Sequence, residues 1–270
     1  GENMNILVCI NSKFRHLMCV MLRSLYENNS DKFIDVYCLN SDLTNEDENY
    51  ILNHLNYENL HITFIKVNEE IFKGAPTVKR YPLEIYYRLL ATEVLPKNLD
   101  RILYLDVDLI VKGSLEELYN KDFNNNLFLT STNIGKFLTW FNSLRLGSLK
   151  KHIYPNTGVM MMNLVKMREC VKIEDITNFI SKHKQTMALY DQDIIFALYG
   201  DKIGLIDSKK YNLSDRQISK YNRHHRNKID KNWVDKNNVI IHYLGSNKPW
   251  KPNYKGILKP YFELYNFIEE

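Results

Sequence analysis

RILYLDVDLIV, residues 101 to 111, decides the fold. Ile102, Leu103, Tyr104 and Leu105 make a short apolar run of the kind that forms a strand buried on both faces, and the run ends in two carboxylates, Asp106 and Asp108, separated by Val107. Such a strand belongs in a largely parallel sheet covered by helices. The residues just past its carboxyl end lie where an open α/β sheet gathers its ligands.

Upstream, Asn5 to Ile10, Ile34 to Leu39 and His61 to Val67 repeat the strand pattern. Between the first two, Leu17, Val20, Met21, Leu22 and Leu25 recur with a helical period. Between the second and third, Thr44 followed by Asp47 has the spacing of a capping box. Strands separated by helices imply crossover connections and parallel pairing. Pro82 near the first helical position and Pro96 beyond the end predict a helix from Pro82 to Val94. Downstream, Leu127 to Ser131, Pro155 to Leu164, residues 202 to 206 and Val239 to Gly245 read as strands. Helices are expected over 166 to 181, over Asp191 to Leu198 and in the aromatic stretch Tyr254 to Phe267, while residues 133 to 153 are ambiguous. The pattern predicts one α/β domain from residue 4 to about 208, with a C-terminal extension folded back on it.

The 270 residues are 44% apolar and 25% charged, which excludes a disordered chain. No apolar run approaches the roughly 20 residues that span a bilayer, and no hydrophobic leader precedes the first strand, so a cytoplasmic or peripheral protein is expected. Cys9, Cys19, Cys38 and Cys170 lack metal-ligand spacing and read as small buried hydrophobes. A formal charge of +4 gives no reason to expect nucleic acid as a partner. Residues 209 to 236, however, hold nine Lys or Arg against three Asp, a local +6. That segment is either a solvated loop or a contact for phosphate, an anionic saccharide or a membrane surface.

The chemistry-bearing residues are spread along the chain. Asp106 and Asp108 offer hard oxygen donors to Mg²⁺ or Mn²⁺, and a metal held there can also bind a diphosphate; the bland alternative is a solvated acidic turn, and a phosphatase or a kinase could use a similar pair. His242 could add an imidazole ligand, Lys248 a cation for phosphate, and Gly245 a close backbone approach, although His242 in isolation also reads as a satisfied core histidine. Asp191 suits a helix cap and Asp193 complements the positive helix end. The same turn can aim Asp191 or Gln192 into a site. Arg88 is either a solvent-facing charge or a contact to phosphate or sugar oxygens.

Four blocks, YRLLATEVLP (87 to 96), RILYLDVDLIVKGSLEELYN (101 to 120), NTGVMMMNL (156 to 164) with YDQDIIF (190 to 196), and HYLGSNKPW (242 to 250), occur in an order that resembles the family 8 glycosyltransferases. These are retaining enzymes of the GT-A nucleotide-diphospho-sugar transferase fold, with a mixed, mostly parallel sheet flanked by helices. The family includes bacterial lipopolysaccharide galactosyltransferases, glucosyltransferases and glycogenin. The resemblance implies a GT-A domain over residues 4 to 250, with 251 to 270 packed on it. It implies Mn²⁺, or Mg²⁺, held by Asp106, Asp108 and His242, and a UDP-glucose or UDP-galactose donor whose phosphates meet Gly245 and Lys248. Arg88 and Asn156 would lie around the donor sugar, Asp191 would hold its hydroxyls, and Gln192 would stand near the β face of the anomeric carbon.

Cys9, Ile10, Ser12, Phe14 and Val107 complete the implied donor site. Where the family commonly has an Asp-Asp-Asn-Tyr-like turn around uridine, this chain reads Asn11-Ser12-Lys13-Phe14. Phe14 keeps an aromatic surface, Ser12 replaces an acidic acceptor, and backbone near Cys9 and Ile10 is left to read the uracil edge. The acceptor implied is a cell-surface glycan or glycolipid, reached from the inner face of the membrane. The alternative is a catalytically weak saccharide-binding or membrane-surface protein, suggested by the basic segment and the altered turn.

Overall fold

The protein is described by a computed structural model over residues 3–77, 83–134, 136–147 and 153–269. The strands are β1 (Asn3–Cys9), β2 (Phe33–Asn40), β3 (Leu60–Lys66), β4 (Arg101–Leu105), β5 (Leu109–Val111), β6 (Phe128–Ser131), β7 (Asn156–Asn163), β8 (Ile203–Leu205) and β9 (Ile240–His242). Seven of them form one sheet in the order β3-β2-β1-β4-β7-β6-β8, and β5 pairs with β9 in a separate antiparallel ribbon. Within the large sheet β7 alone runs against its neighbours. The sheet is therefore mixed but mostly parallel, and Ile6, Leu7 and Val8 at its centre are fully buried, as a strand covered on both faces requires.

Helices cover both faces. Arg15–Glu27 turns Met18, Cys19, Met21, Leu22 and Leu25 onto one of them. Asn45–His54 opens with the expected capping box, in which Asp47 N–H donates to Thr44 Oγ1 at 3.2 Å and Thr44 N–H donates to Asp47 Oδ2 at 2.9 Å. That reciprocal pair satisfies two donors left over at the helix start, a cap being worth about 1 kcal/mol. The opposite face is covered by Tyr86, Tyr87, Leu89 and Leu90, with Ile194, Ile195 and Phe196 from the helix Asp191–Tyr199.

Several elements differ from the sequence reading. Pro82 lies outside the described residues, and the following segment is a 3-10 helix over Leu83–Leu90 that becomes α-helical only over Ala91–Val94. Five consecutive residues, Tyr86 to Leu90, are buried there, so the segment has no solvent stripe to reveal a helical period. The helix expected over 166 to 181 is two helices, Leu164–Cys170 and Ile173–His183, because Val171 goes extended and tucks its side chain inside. The ambiguous stretch contains a helix, Lys136–Arg145, and the closing helix is shorter than expected, Lys259–Tyr265. The basic segment is not a loop: it folds as Ser208–Tyr211, Asp215–His224 and Lys231–Asn237, anchored by Ile218, Ile229 and Val234. No helix among the described residues is long and apolar enough to cross a membrane.

Candidate active site

One edge of the large sheet collects the carboxyl ends of β1, β4 and β6 together with the amino end of antiparallel β7. At this edge the chain leaves β4, bends through Val107 and Asp108, and enters β5 of the small ribbon. Asp106 N–H donates to the Gly158 carbonyl at 2.8 Å, tying the first carboxylate to β7. The ribbon register sets His242 opposite Leu109, next to Asp108, and Tyr243 N–H donates to the Asp108 carbonyl at 3.0 Å. Residues 134 apart in sequence are thereby brought side by side.

His242 Nε2 lies 3.0 Å from Asp108 Oδ1 and 3.5 Å from Asp106 Oδ2. Its other nitrogen fixes the tautomer. Asn212 commits its amide N–H groups to Ser131 Oγ at 2.8 Å and Asn156 Oδ1 at 2.9 Å, which leaves its carbonyl oxygen to accept the proton of His242 Nδ1 at 2.8 Å. The Nε2 lone pair then faces the two carboxylates, and the three ligand atoms fall within 4.8 Å of one another. Three electron-pair donors aimed at one point are reconciled by a cation, so the donor set fits a divalent metal of the Mg²⁺ and Mn²⁺ class. Lys248 Nζ completes the surroundings, donating to Asp108 Oδ2 and, at 2.7 Å, to the Tyr243 carbonyl. Gly158 makes room for all this: a Cβ there would stand 2.2 Å from His242 Cε1.

Beside the triad is a second charged group. Arg88 is 5% exposed, with its guanidinium 3.9 Å over the Tyr104 ring. It donates through Nη1 to the Thr157 carbonyl at 2.9 Å and through Nη2 to Asp106 Oδ1 at 3.2 Å, and Nη1 lies 3.4 Å from Asp191 Oδ2. The solvent-facing reading of Arg88 is thus corrected: it is a buried clamp between two carboxylates. Asp191 Oδ2 also accepts from Thr157 Oγ1 at 2.7 Å, whereas Asp191 Oδ1 is buried without a partner. Burial raises the Asp191 carboxyl to about 6 against the opposing pull of Arg88. The N-cap of this helix is Tyr190, at φ 45°, so Asp191 is no cap; a side chain in the left-handed region costs of order 1 kcal/mol and sets the turn that presents Asp191 and Gln192.

These groups line one cavity of about 360 Å³. Of the residues singled out in the sequence, Cys9, Ile10, Phe14, Arg88, Asp106, Val107, Asp108, Asn156, Asp191, Gln192, His242, Gly245 and Lys248 line it. Ser12 does not. Its hydroxyl and its N–H both donate to the Asp42 carboxylate at 2.9 Å. Ile10 N–H is also committed, to the Leu39 carbonyl at 3.0 Å, so that donor cannot read a ligand. Burial holds the Cys9 thiol far above its ordinary range, which leaves Cys9 a wall residue. The sequence reading missed Asn11, Glu84, Ile85, Thr157, Gly158, Leu244 and Trp250 in the lining, and Asn212 behind His242. Thr157 and Gly158 stood in a block already noticed. Nothing in the sequence distinguishes Glu84 or Asn212.

Compared with known proteins, residues 5–253 match the family model described as Glycosyl transferase family 8. The chain is 26% identical over 255 residues to a lipopolysaccharide 1,2-glucosyltransferase of Escherichia coli, covering 92% of this chain and 74% of that protein. It is 24% identical over 269 residues to a lipopolysaccharide 1,3-galactosyltransferase of Salmonella typhimurium, covering 93% and 74%. Among solved structures it superposes with a TM-score of 0.83 on the galactosyltransferase LgtC, determined with donor and acceptor sugar analogues, at 24% identity over 97% of this chain and 95% of that one. The architecture is accordingly the GT-A fold.

Proposed function

The chain belongs to glycosyl transferase family 8, and from that membership we propose that it is a metal-dependent, retaining hexosyltransferase that moves glucose or galactose from a UDP-sugar to a hydroxyl of a cell-surface glycan or glycolipid. The observation that carries this reading is the single cavity in which the Asp106, Asp108 and His242 donor set stands beside Lys248, Arg88, Asp191 and Gln192. Residues 4 to 250 would form the catalytic unit, with 251 to 270 as an extension packed on it.

Asp106, Asp108 and His242 would hold Mn²⁺, or Mg²⁺; when bound, the ion supplies Lewis-acid stabilisation of the departing diphosphate. Lys248, which stands within hydrogen-bond reach of Asp108, would add a positive charge at the leaving group, where negative charge develops. Asn212 keeps the His242 ring in its ligating tautomer. Asp191 Oδ1 is placed to accept from a sugar hydroxyl, and Arg88 keeps that carboxylate both oriented and ionised. Gln192 lies beside it as a neutral amide and a poor nucleophile. A retaining outcome then follows when the acceptor hydroxyl attacks from the face that UDP leaves and passes its proton to the departing phosphate oxygen, with no protein base required.

A screen of UDP-glucose and UDP-galactose against glycan and glycolipid acceptors, with Mn²⁺ and with chelator, tests the proposal. Metal-dependent product with the anomeric configuration of the donor is the expected outcome. UDP binding with no metal-dependent release of sugar would replace it with a saccharide-binding role.

A further inference from the structure

Part of the cavity wall is made by Cys9, Asn11, Phe14, Glu84 and Ile85. Within this wall Glu84 Oε2 is buried with no hydrogen-bond partner. Two donors reach this carboxylate, its own backbone N–H and the neighbouring Asn11 amide, and neither serves Oε2. Asn11 Oδ1 accepts from Lys13 N–H at 3.1 Å, so Asn11 can present only N–H groups to Glu84, and it makes a side-chain hydrogen bond to that carboxylate. A buried carboxylate oxygen left without a donor is costly, and such a group is retained where a ligand supplies the missing hydrogen. Burial raises the Glu84 carboxyl above its usual range, as expected of an acceptor short of donors.

Resting on the UDP-sugar reading above, we propose that Glu84, aligned by Asn11, is the specificity-determining residue for the nucleobase: its Oε2 accepts the ring N3–H of uracil, while the second amide hydrogen of Asn11 serves an adjacent uracil carbonyl. Phe14, 36% exposed on the same wall, offers its face to the ring. Of the atoms on uracil's pairing edge, N3–H is the donor, and a carboxylate oxygen is its strongest neutral-pH acceptor among side chains. The base site is therefore rebuilt on the 3-10 helix Leu83–Leu90, the element that also delivers Arg88 to the sugar end of the cavity. Ser12, turned to Asp42, takes no part.

The test compares UDP with N3-methyl-UDP by calorimetry in the presence of Mn²⁺, on the wild type and on Glu84→Gln and Glu84→Ala. The wild type should bind UDP about 10- to 100-fold more tightly than the methylated nucleotide, because methylation removes the donor and leaves the carboxylate unpaired. In Glu84→Gln the amide oxygen must take the Asn11 hydrogen, which puts an N–H where Oε2 stood. UDP affinity should fall by a similar factor and the discrimination should collapse towards unity in both variants. Inorganic pyrophosphate with Mn²⁺ should bind all three proteins alike, which separates base reading from loss of fold. Equal weakening of both nucleotides in the variants, or discrimination that survives there, overturns the assignment. A wild type that binds pyrophosphate with Mn²⁺ but gains nothing from uridine overturns the nucleotide reading itself, and this inference falls with it.

Discussion

Replacing Asp191 by Asn should make the protein more resistant to unfolding at neutral pH while abolishing transfer. The carboxyl is fully buried and titrates near 6 in the folded protein against about 3.8 for an ordinary aspartate. Its folded value is raised, so between those limits the native state binds more protons than the unfolded one, and stability falls as pH rises. The contribution is complete below about pH 4 and is lost by the time pH has passed through 6. A shift of roughly two pK units, at 1.36 kcal/mol each, amounts to about 3 kcal/mol. Asn cannot titrate. Its oxygen can still accept from Thr157 Oγ1 and Arg88, while its NH₂ occupies the place of Oδ1, which has no hydrogen-bond partner.

Urea unfolding of both proteins at half-unit intervals from pH 4 to 7.5 reads this directly, because every other titrating group cancels in the difference. Variant minus wild type should grow by about 3 kcal/mol across the range, with most of the change between pH 4 and 6. Parallel profiles would refute the claim that Asp191 is held ionised at a cost. Transfer by the wild type should fall as pH drops through 6, since the proton would then occupy the carboxylate proposed to hold a sugar hydroxyl.

Four further outcomes are expected. Asp108→Ala should abolish Mn²⁺-dependent UDP binding in calorimetry along with transfer, whereas Gln192→Ala should leave that binding within about twofold and cut product formation at least tenfold; the reverse pattern would defeat both roles. Asn212→Leu should weaken Mn²⁺ affinity about 10- to 100-fold, because His242 Nδ1 loses its acceptor, and unchanged affinity would show that the tautomer is set by something else. Gly158→Ala should displace the His242 ring, from which its Cβ would stand 2.2 Å, and lose metal-dependent UDP binding with far-UV circular dichroism unchanged. Charge reversal of Arg223, Arg226 and Lys228, all exposed, should lower co-sedimentation with anionic vesicles at about 1 kcal/mol per charge and leave donor hydrolysis intact; undiminished co-sedimentation would remove the membrane-surface role.

How far the sequence could be read depended on the range of the interaction concerned. The strands of the large sheet announce themselves by apolar runs, and the capping box by a three-residue spacing, because both signals are local. The pairing of β5 with β9 is not local: Leu109–Val111 is only three residues long, follows a carboxylate pair, and becomes a strand through a partner some 130 residues away. The basic segment 209 to 236 was read by its charge, and the helix Asp215–His224 within it buries Ile218 alone, too little to show a period. Yet it is Tyr211, Asn212 and Leu213, just before that helix, that seat His242: Leu213 pairs with Ile241 and Asn212 orients the ring. An asparagine between two apolar residues carries no mark of that task.

Two carboxylates in one turn show why residue type underdetermines role. Asp191 and Asp193 are equally buried and sit two positions apart. Asp193 receives five donors on its two oxygens: both Arg145 Nη groups, Tyr154 OH, and the N–H groups of Ala188 and Leu189. Burial would raise its carboxyl, but these bonds outweigh it and lower it, so the group is a closed structural node that ties the helix Lys136–Arg145 to the floor of the site. Asp191 has one oxygen served and one bare, and its carboxyl is raised. The same distinction separates Glu84 from Asp42, whose two oxygens are both taken by Ser12. Hydrogen-bonding capacity left over after the fold has taken its share is what a polar ligand can use, and among the residues lining this cavity it remains on Asp191 Oδ1, Glu84 Oε2 and the Nε–H of Arg88.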